Sequence, residues 1–360
     1  MFIIASTILS SIIGTPILIA SSVISKLYSI VSGNNPMDIS RLSFISEISN
    51  YIETTNKRIS SQWVCNGKVH ALCRHATIFS GFPPIVFIHG MCSSSFHFVE
   101  IMEKFPRTHD VFCIDLPGWG ISENPPFDLA TANTSDIFSY YGDIIVSAMK
   151  ELYMAADPKF IFVGHSFGSV ILLKSIHMGN IPRNIIHKCV LTSLPGITSV
   201  SSRYPYLCGA LITTGWIESI YKQWWSPYLF RSFLFRSYSE LDTLQRMSRF
   251  ISDSNGYKFA SRQMAFRGLL PPVWIKPLYN ELLNVAYTNK TELIGGTYDS
   301  IVDIVTMRHI CDCKLHEING GHFIFLDKSL HLKLIDIIDD FKPDKDKPLR
   351  HKFFKNKIFS

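Results

Sequence analysis

The chain has 360 residues, enough to bury a substantial core in one large domain, with 18% charged and 47% apolar residues. An average soluble domain carries roughly 25% charge, so this composition leans toward a membrane or a lipid. Of the net charge of +6, an excess of five (seven Lys/Arg against two Asp) falls on residues 342–360, so the nearly neutral body gives no ground for a nucleic-acid partner. Eight cysteines in this length exclude a dense disulfide framework and read as buried free thiols, Cys113 and Cys189 among them.

Residues 1–32 form the first segment. No charged side chain precedes Lys26, and residues 2–24 are mostly Ile, Leu, Val, Ala, Ser and Thr. About 20 such residues span a bilayer as a helix, so this segment reads as a single-pass N-terminal membrane anchor. A cleaved signal lacks support, because no basic stretch precedes the apolar run; a buried core helix is the other competing reading. The side of the membrane stays open, since Lys26 and Arg41 point one way and the sequons at Asn133 and Asn289 the other.

Residues 33–58 read as a linker. Two strand-like runs then flank Asn66-Gly67, a hairpin signal. From Pro84 the pattern alternates. Short apolar runs (IVFIH, VFCID, FIFVGH, IIHKCVLTSL, TELIGG and CKLHEI) suit strands buried on both faces. Helices are expected over 96–105, 136–152, 170–178 and 330–341. This is the rhythm of a doubly wound, mostly parallel α/β sheet, with a core in two parts, 59–196 and 291–341. Between them, residues 197–290 break the rhythm and are rich in Trp, Tyr and Phe, which reads as an inserted helical cap. The tail, 342–360, interleaves Lys and Arg with Phe and suits an anionic membrane surface or a solvated terminus.

Gly164-His165-Ser166-Phe167-Gly168 lies between a strand and a helix. In that setting the serine occupies a sharp turn at a helix N-terminus, and small neighbours let the backbone close. Serine is a weak nucleophile without a base. His322, in Asn319-Gly320-Gly321-His322 after the CKLHEI strand, is placed to be that base. His165 sits inside the elbow and His316 alternates along a strand, so both are poorer candidates. The orienting carboxylate is Asp299, after the TELIGG strand, with Asp303 as runner-up. Backbone N–H groups of Phe167 and Met91 are placed to hold an oxyanion, Gly90 letting the second loop approach. A zinc site at Cys311 and Cys313 has the wrong spacing.

The segments IHGMCSS, DLPGWGIS (Asp115–Ser122), GHSFG, GGTYDS and GGHFIF resemble the α/β-hydrolase superfamily over about residues 60–341. The resemblance implies that fold, the triad Ser166, Asp299 and His322, oxyanion donors at Met91 and Phe167, and no metal or organic cofactor. It also implies that Pro117, Gly118 and Gly120 shape a turn near the site. Relatives that open epoxides or remove halides carry Asp at the elbow, where this chain carries Ser166.

The expected activity is therefore hydrolysis of a carboxylic ester, with a small-molecule ester or acyl lipid as substrate. An acyltransferase sharing the acyl-enzyme, and a catalytically silent membrane-bound binding protein, are the alternatives.

Overall fold

The computed structural model describes residues 58–194, apart from 79, 91, 92, 128–133 and 156, and residues 290–339, apart from 300, 301, 303 and 309–312. The expected anchor, the linker and cap apart from Arg58 and Lys290, the basic tail, Met91, Asp303 and Cys311 thus lie outside the described residues. Among the described residues no helix is long and apolar enough to cross a membrane.

Strands β1 (Ser60–Val64) and β2 (Val69–Arg74) form the expected hairpin. Its turn holds three successive left-handed residues, Cys65, Asn66 and Gly67, with φ of 53, 59 and 76°. Asn and Gly tolerate that region; Cys65 is held there with its N–H donating to Glu151 Oε2 at 2.9 Å. Then come β3 (Ile85–Ile88), a short helix α1 (Val99–Met102) and β4 (Val111–Ile114). Helix α2 (Thr134–Leu152) carries Asp136 in its first turn and Lys150 in its last, each matching the helix dipole. Strand β5 (Phe160–His165), helix α3 (Phe167–Met178) and β6 (Ile186–Thr192) follow. Helix α3 stops at Gly179, whose φ of 84° terminates a helix at no steric cost. The second part of the core contributes β7 (Thr291–Gly296), α4 (Ile304–Met307), β8 (Lys314–Ile318) and α5 (His331–Ile338).

All eight strands join one sheet in the order β1-β2-β4-β3-β5-β6-β7-β8. The pairs β1–β2 and β2–β4 are antiparallel, and the remaining pairs are parallel. The expected helix over 96–105 is instead a 3-10 turn, Ser95–Phe98, running into α1.

Alternation along each strand sends side chains to opposite faces. Val86, Ile88, Phe112, Phe160 and Phe162 pack with Tyr141 and Ile145 of α2 and with Ile171 of α3. Ile85, Phe87, Val111, Ile161 and Val163 pack on the other face with Phe98, Ile101, Leu334 and Ile338. Both faces are buried, which explains why these strands read as continuous apolar runs. Phe87 stands at the centre of the second face, 4.7 Å from the Phe98 ring and 5.7 Å from the Phe325 ring. Truncating such a side chain to alanine costs about 3–5 kcal/mol. Cys113 and Cys189 are buried free thiols within β4 and β6.

The parallel strands β3, β4, β5, β6, β7 and β8 end on one edge of the sheet. Their last residues lead into His89, Asp115, Ser166, Ser193, Thr297 and Asn319. The carboxyl edge of an open parallel sheet is where such folds carry their sites.

Candidate active site

The elbow is built by what its glycines lack. A Cβ on Gly164 would stand 2.6 Å from the Cα of Ser169, and one on Gly168 would stand 2.5 Å from the carbonyl oxygen of His89. With both positions bare, α3 starts directly against β3 and β5. Ser166 absorbs the turn, with φ 51° and ψ −118°. Non-glycine residues avoid that region, at a cost on the order of 1–3 kcal/mol.

The surroundings hold it there. Ser166 N–H donates to the carbonyl of Thr192 at 2.9 Å, and Ser169 Oγ donates to the same carbonyl at 3.0 Å. Thr192 Oγ1 in turn donates to Gly164 O at 2.9 Å. Ser166 remains partly open while its neighbours His165 and Phe167 are buried. Phe167 begins α3, and its N–H is one of the helix-start amides without an intrahelical acceptor.

His322 and Asp299 meet across two loops. Nδ1–H of His322 donates to Asp299 at 2.9 Å (Oδ2) and 3.1 Å (Oδ1), with side chains 4% and 1% exposed. Asp299 Oδ1 also accepts from Val302 N–H at 2.9 Å. The loops are zipped together by Thr297 N–H to Ile318 O at 2.8 Å and Tyr298 N–H to Gly320 O at 3.0 Å. Gly296 makes this possible, because a Cβ there would lie 2.5 Å from the carbonyl oxygens of Gly320 and Gly321. A carboxylate on Nδ1 fixes the tautomer and leaves Nε2 bare to take a proton.

His165 links this pair to the elbow. Its Nε2 lies 2.9 Å from the main-chain oxygen of His322, and a carbonyl only accepts, so that nitrogen carries the proton. Burial, then the nearby His322, pushes its pKa down to about 3, so the ring is neutral and Nδ1 is a bare acceptor. That Nδ1 faces Gly90, where a Cβ would lie 3.0 Å from it and 3.0 Å from Ser166 Cβ.

His89 is likewise a fixed tautomer. Leu116 N–H donates to its Nε2 at 3.1 Å, so Nδ1–H donates to Gly90 O at 2.7 Å. Burial lowers its pKa. The carbonyl just before Met91 is thereby held in place, although Met91 itself lies outside the described residues.

Sequence reasoning missed three participants. His97 is buried, lies 4.8 Å ring to ring from His165, and pairs its Nδ1 with Ser93 Oγ at 2.9 Å. Its pKa falls well below the usual value through burial first, then through His165, His89 and His322. Ser193 donates from Oγ to the His322 carbonyl at 3.1 Å. Asp115, in the DLPGWGIS turn, accepts from Ser95 N–H at 2.5 Å, from Ile121 N–H at 3.2 Å and from His70 Nδ1 at 2.8 Å. Ser193 acts on a carbonyl 129 residues away and His97 lies against His165 across the sheet, contacts that no local pattern signals, whereas Asp115 opens the DLPGWGIS segment whose partners Ser95 and His70 lie 20 and 45 residues away. His316 is a strand residue on β8 with Nε2 2.6 Å from Glu292 Oε2. Among the described residues no cluster of three or more His, Cys, Asp or Glu is arranged to hold a metal.

The sequence model of the alpha/beta hydrolase family matches residues 85–329. Comparison with curated proteins finds no match. Among solved structures, the chain is similar to an esterase from Exiguobacterium antarcticum, at 16% identity and a TM-score of 0.56, covering 78% of this chain and 99% of that one. It is similar to a Cif epoxide hydrolase from Acinetobacter nosocomialis, at 17% identity and a TM-score of 0.59, covering 84% and 96%. A bacterial membrane phospholipase A is similar at 16% identity and a TM-score of 0.55, covering 91% and 100%. At these identities the likeness is one of fold.

Proposed function

The chain belongs to the alpha/beta hydrolase family, and we propose that it is a serine hydrolase that cleaves carboxylic esters through an acyl-enzyme on Ser166. The observation that carries this reading is the His322–Asp299 pair, 2.9 Å from Nδ1 to Oδ2, at the same sheet edge as the strained Ser166. In this reading Nε2 of His322 takes the proton from Ser166 Oγ as that oxygen attacks the ester carbonyl. Asp299 holds the imidazole in the required tautomer and stabilises the imidazolium. The N–H groups of Phe167 and Met91 donate hydrogen bonds to the oxyanion. His322 then protonates the departing alcohol, and a water, deprotonated by the same nitrogen, releases the acid.

The elbow residue separates this activity from that of the epoxide hydrolase with the same fold. Epoxide opening in the resembled family uses a carboxylate at the elbow, and here the position is serine. For substrate class we propose acyl lipids. The support is compositional: an aromatic-rich segment over 197–290 suits an apolar acyl pocket, and residues 2–24 suit a membrane anchor that keeps the enzyme near lipid.

The test is fluorophosphonate labelling of the detergent-solubilised chain. Wild type is expected to take one label, and Ser166→Ala and His322→Ala to take none above background. A folded wild type that refuses the probe would overturn the proposal. Release of fatty acid from monoacyl lipids, compared with short-chain esters, then decides the substrate class.

A further inference from the structure

His322 is held by its main chain as well as by its ring. That carbonyl oxygen receives two side-chain donors, His165 Nε2–H at 2.9 Å and Ser193 Oγ–H at 3.1 Å. A carbonyl has two lone pairs, so both are filled by side chains, with His165 and Ser193 wholly buried and His322 nearly so.

The donors come from the frame that holds the nucleophile. His165 immediately precedes Ser166 at the end of β5. Ser193 immediately follows Thr192, whose carbonyl accepts the Ser166 N–H. Ser193 is itself tied to β7 by its N–H, which donates to Ile294 O at 2.9 Å. The ends of β5 and β6 therefore fix one peptide oxygen, with β7 bracing the second of them, and the ring of His322 is left free for its work.

Ser193 carries a further mark. Its φ is 46°, in the left-handed region, and it is one of only four non-glycine residues with positive φ among the described residues. Glycine takes that conformation at no steric cost, so the serine hydroxyl is what this position gains. Strain of this kind persists where surrounding contacts over-determine the backbone, and it clusters at functional sites.

We propose that His165 and Ser193 are positioning residues that clamp the main-chain carbonyl of His322 and so register the base against the nucleophile. The inference rests on the serine hydrolase reading for its catalytic meaning, but the clamp itself has a readout that needs no turnover.

The experiment uses the full chain with Ser193→Gly, His165→Leu and His165→Gln. Ser193→Gly keeps the backbone conformation and removes the donor. His165→Gln places an amide N–H where Nε2 stood, and His165→Leu places none. Two signals are followed in folded protein: the rate constant of fluorophosphonate labelling, and the downfield proton resonance of the His322 Nδ1–H bonded to Asp299. Ser193→Gly and His165→Leu are expected to label about 10- to 100-fold more slowly, the scale of a misalignment below 1 Å, with the resonance shifted or broadened. His165→Gln is expected to recover the labelling rate to within about threefold and to restore the resonance. Wild-type rate and resonance in both Ser193→Gly and His165→Leu would overturn the clamp. So would a slowed His165→Gln that matches His165→Leu. An unlabelled wild type would overturn the serine hydrolase reading instead, and the resonance would still decide the clamp.

Discussion

Nδ1 of His322 and Oδ2 of Asp299 stand 2.9 Å apart, although the two residues come from loops after different strands and are 23 positions apart in sequence. Their separation is set by main-chain bonds between the loops, not by the pair itself. The pair is preorganised, so the imidazole need not search for its carboxylate during a reaction. Asp299→Asn is expected to keep the fold, since a side-chain oxygen can still accept from Val302 N–H. It would stabilise the wrong tautomer of His322 and slow ester turnover by about 10³- to 10⁴-fold. Ester hydrolysis by purified variant and wild type, beside their melting temperatures, checks both halves of the statement.

Gly168 and Gly90 both lack a Cβ near the elbow, and the consequences of adding one differ. At Gly168 the new carbon would press into backbone carbonyls of Ile88 and His89, which cannot yield without moving β3. Gly168→Ala is expected to destabilise by about 3 kcal/mol or more, or to prevent folding. At Gly90 the contacts are 3.0 Å to Ser166 Cβ and His165 Nδ1, so small shifts suffice. Gly90→Ala should fold, and slow labelling on the order of tenfold to a hundredfold by displacing Ser166. Circular dichroism melts paired with labelling rates separate the two cases.

Much of this was legible in the sequence because it is local. The runs IVFI, VFCI and FIFV became β3, β4 and β5 since burial on both faces requires unbroken apolar stretches. The strand before GHSFG and the loops holding Asp299 and His322 follow from chain order, so the residues could be nominated without coordinates. The shortness of the helix expected over 96–105 was not legible, because the apolar spacing that suggests a long helix serves a 3-10 turn and one helical turn packed under Phe87. The roles of His165 and Ser193 were hidden for another reason. Each donates to a carbonyl 157 or 129 residues away, and a main-chain acceptor leaves no trace in sequence.

Asp115 ties β2, β4 and the turn before α1 together. Both it and His70 are out of water, 2.8 Å apart, and two backbone N–H groups also end on the Asp115 carboxylate. Removing the acceptor strands three buried donors at once, so Asp115→Ala is expected to cost about 3–5 kcal/mol. Urea unfolding of the variant measures this directly. Ser61 Oγ lies 2.8 Å from Nε2 of the same His70, so Ser61, His70 and Asp115 form a Ser–His–carboxylate chain of contacts. Its serine lies within strand β1 at the edge of the sheet rather than at a helix start, where amides would accept an oxyanion. Peptide mapping of probe-treated Ser166→Ala should therefore find Ser61 unmodified.

The buried histidines make acid the weak side of this protein. His89, His97 and His165 are all held below the ordinary value of 6.5, in each case chiefly by burial, His165 as far as about 3. In the folded chain they stay neutral, whereas in the unfolded chain they take up protons as pH falls past about 6.5. The unfolded state then binds more protons, so stability is complete above that pH and declines as pH falls toward the folded values. Each group contributes at most about 1.4 kcal/mol per pH unit across that window. Asp110 and Asp115 are lowered from 3.8, so their contributions are lost only at still lower pH. His75 runs the other way, raised by its hydrogen bond to Asp110, but it is half exposed and screened. Between about pH 6.5 and 4.5 the neutral histidines should therefore dominate, and urea midpoints should fall with a slope of more than one proton. In His165→Gln the slope should drop by about one proton, because the group that resists charging is gone. Midpoints that stay level from about pH 7.5 to 5 would mean that these rings are protonated in the folded chain or reach water, and the tautomers assigned to His89 and His165 would have to be given up.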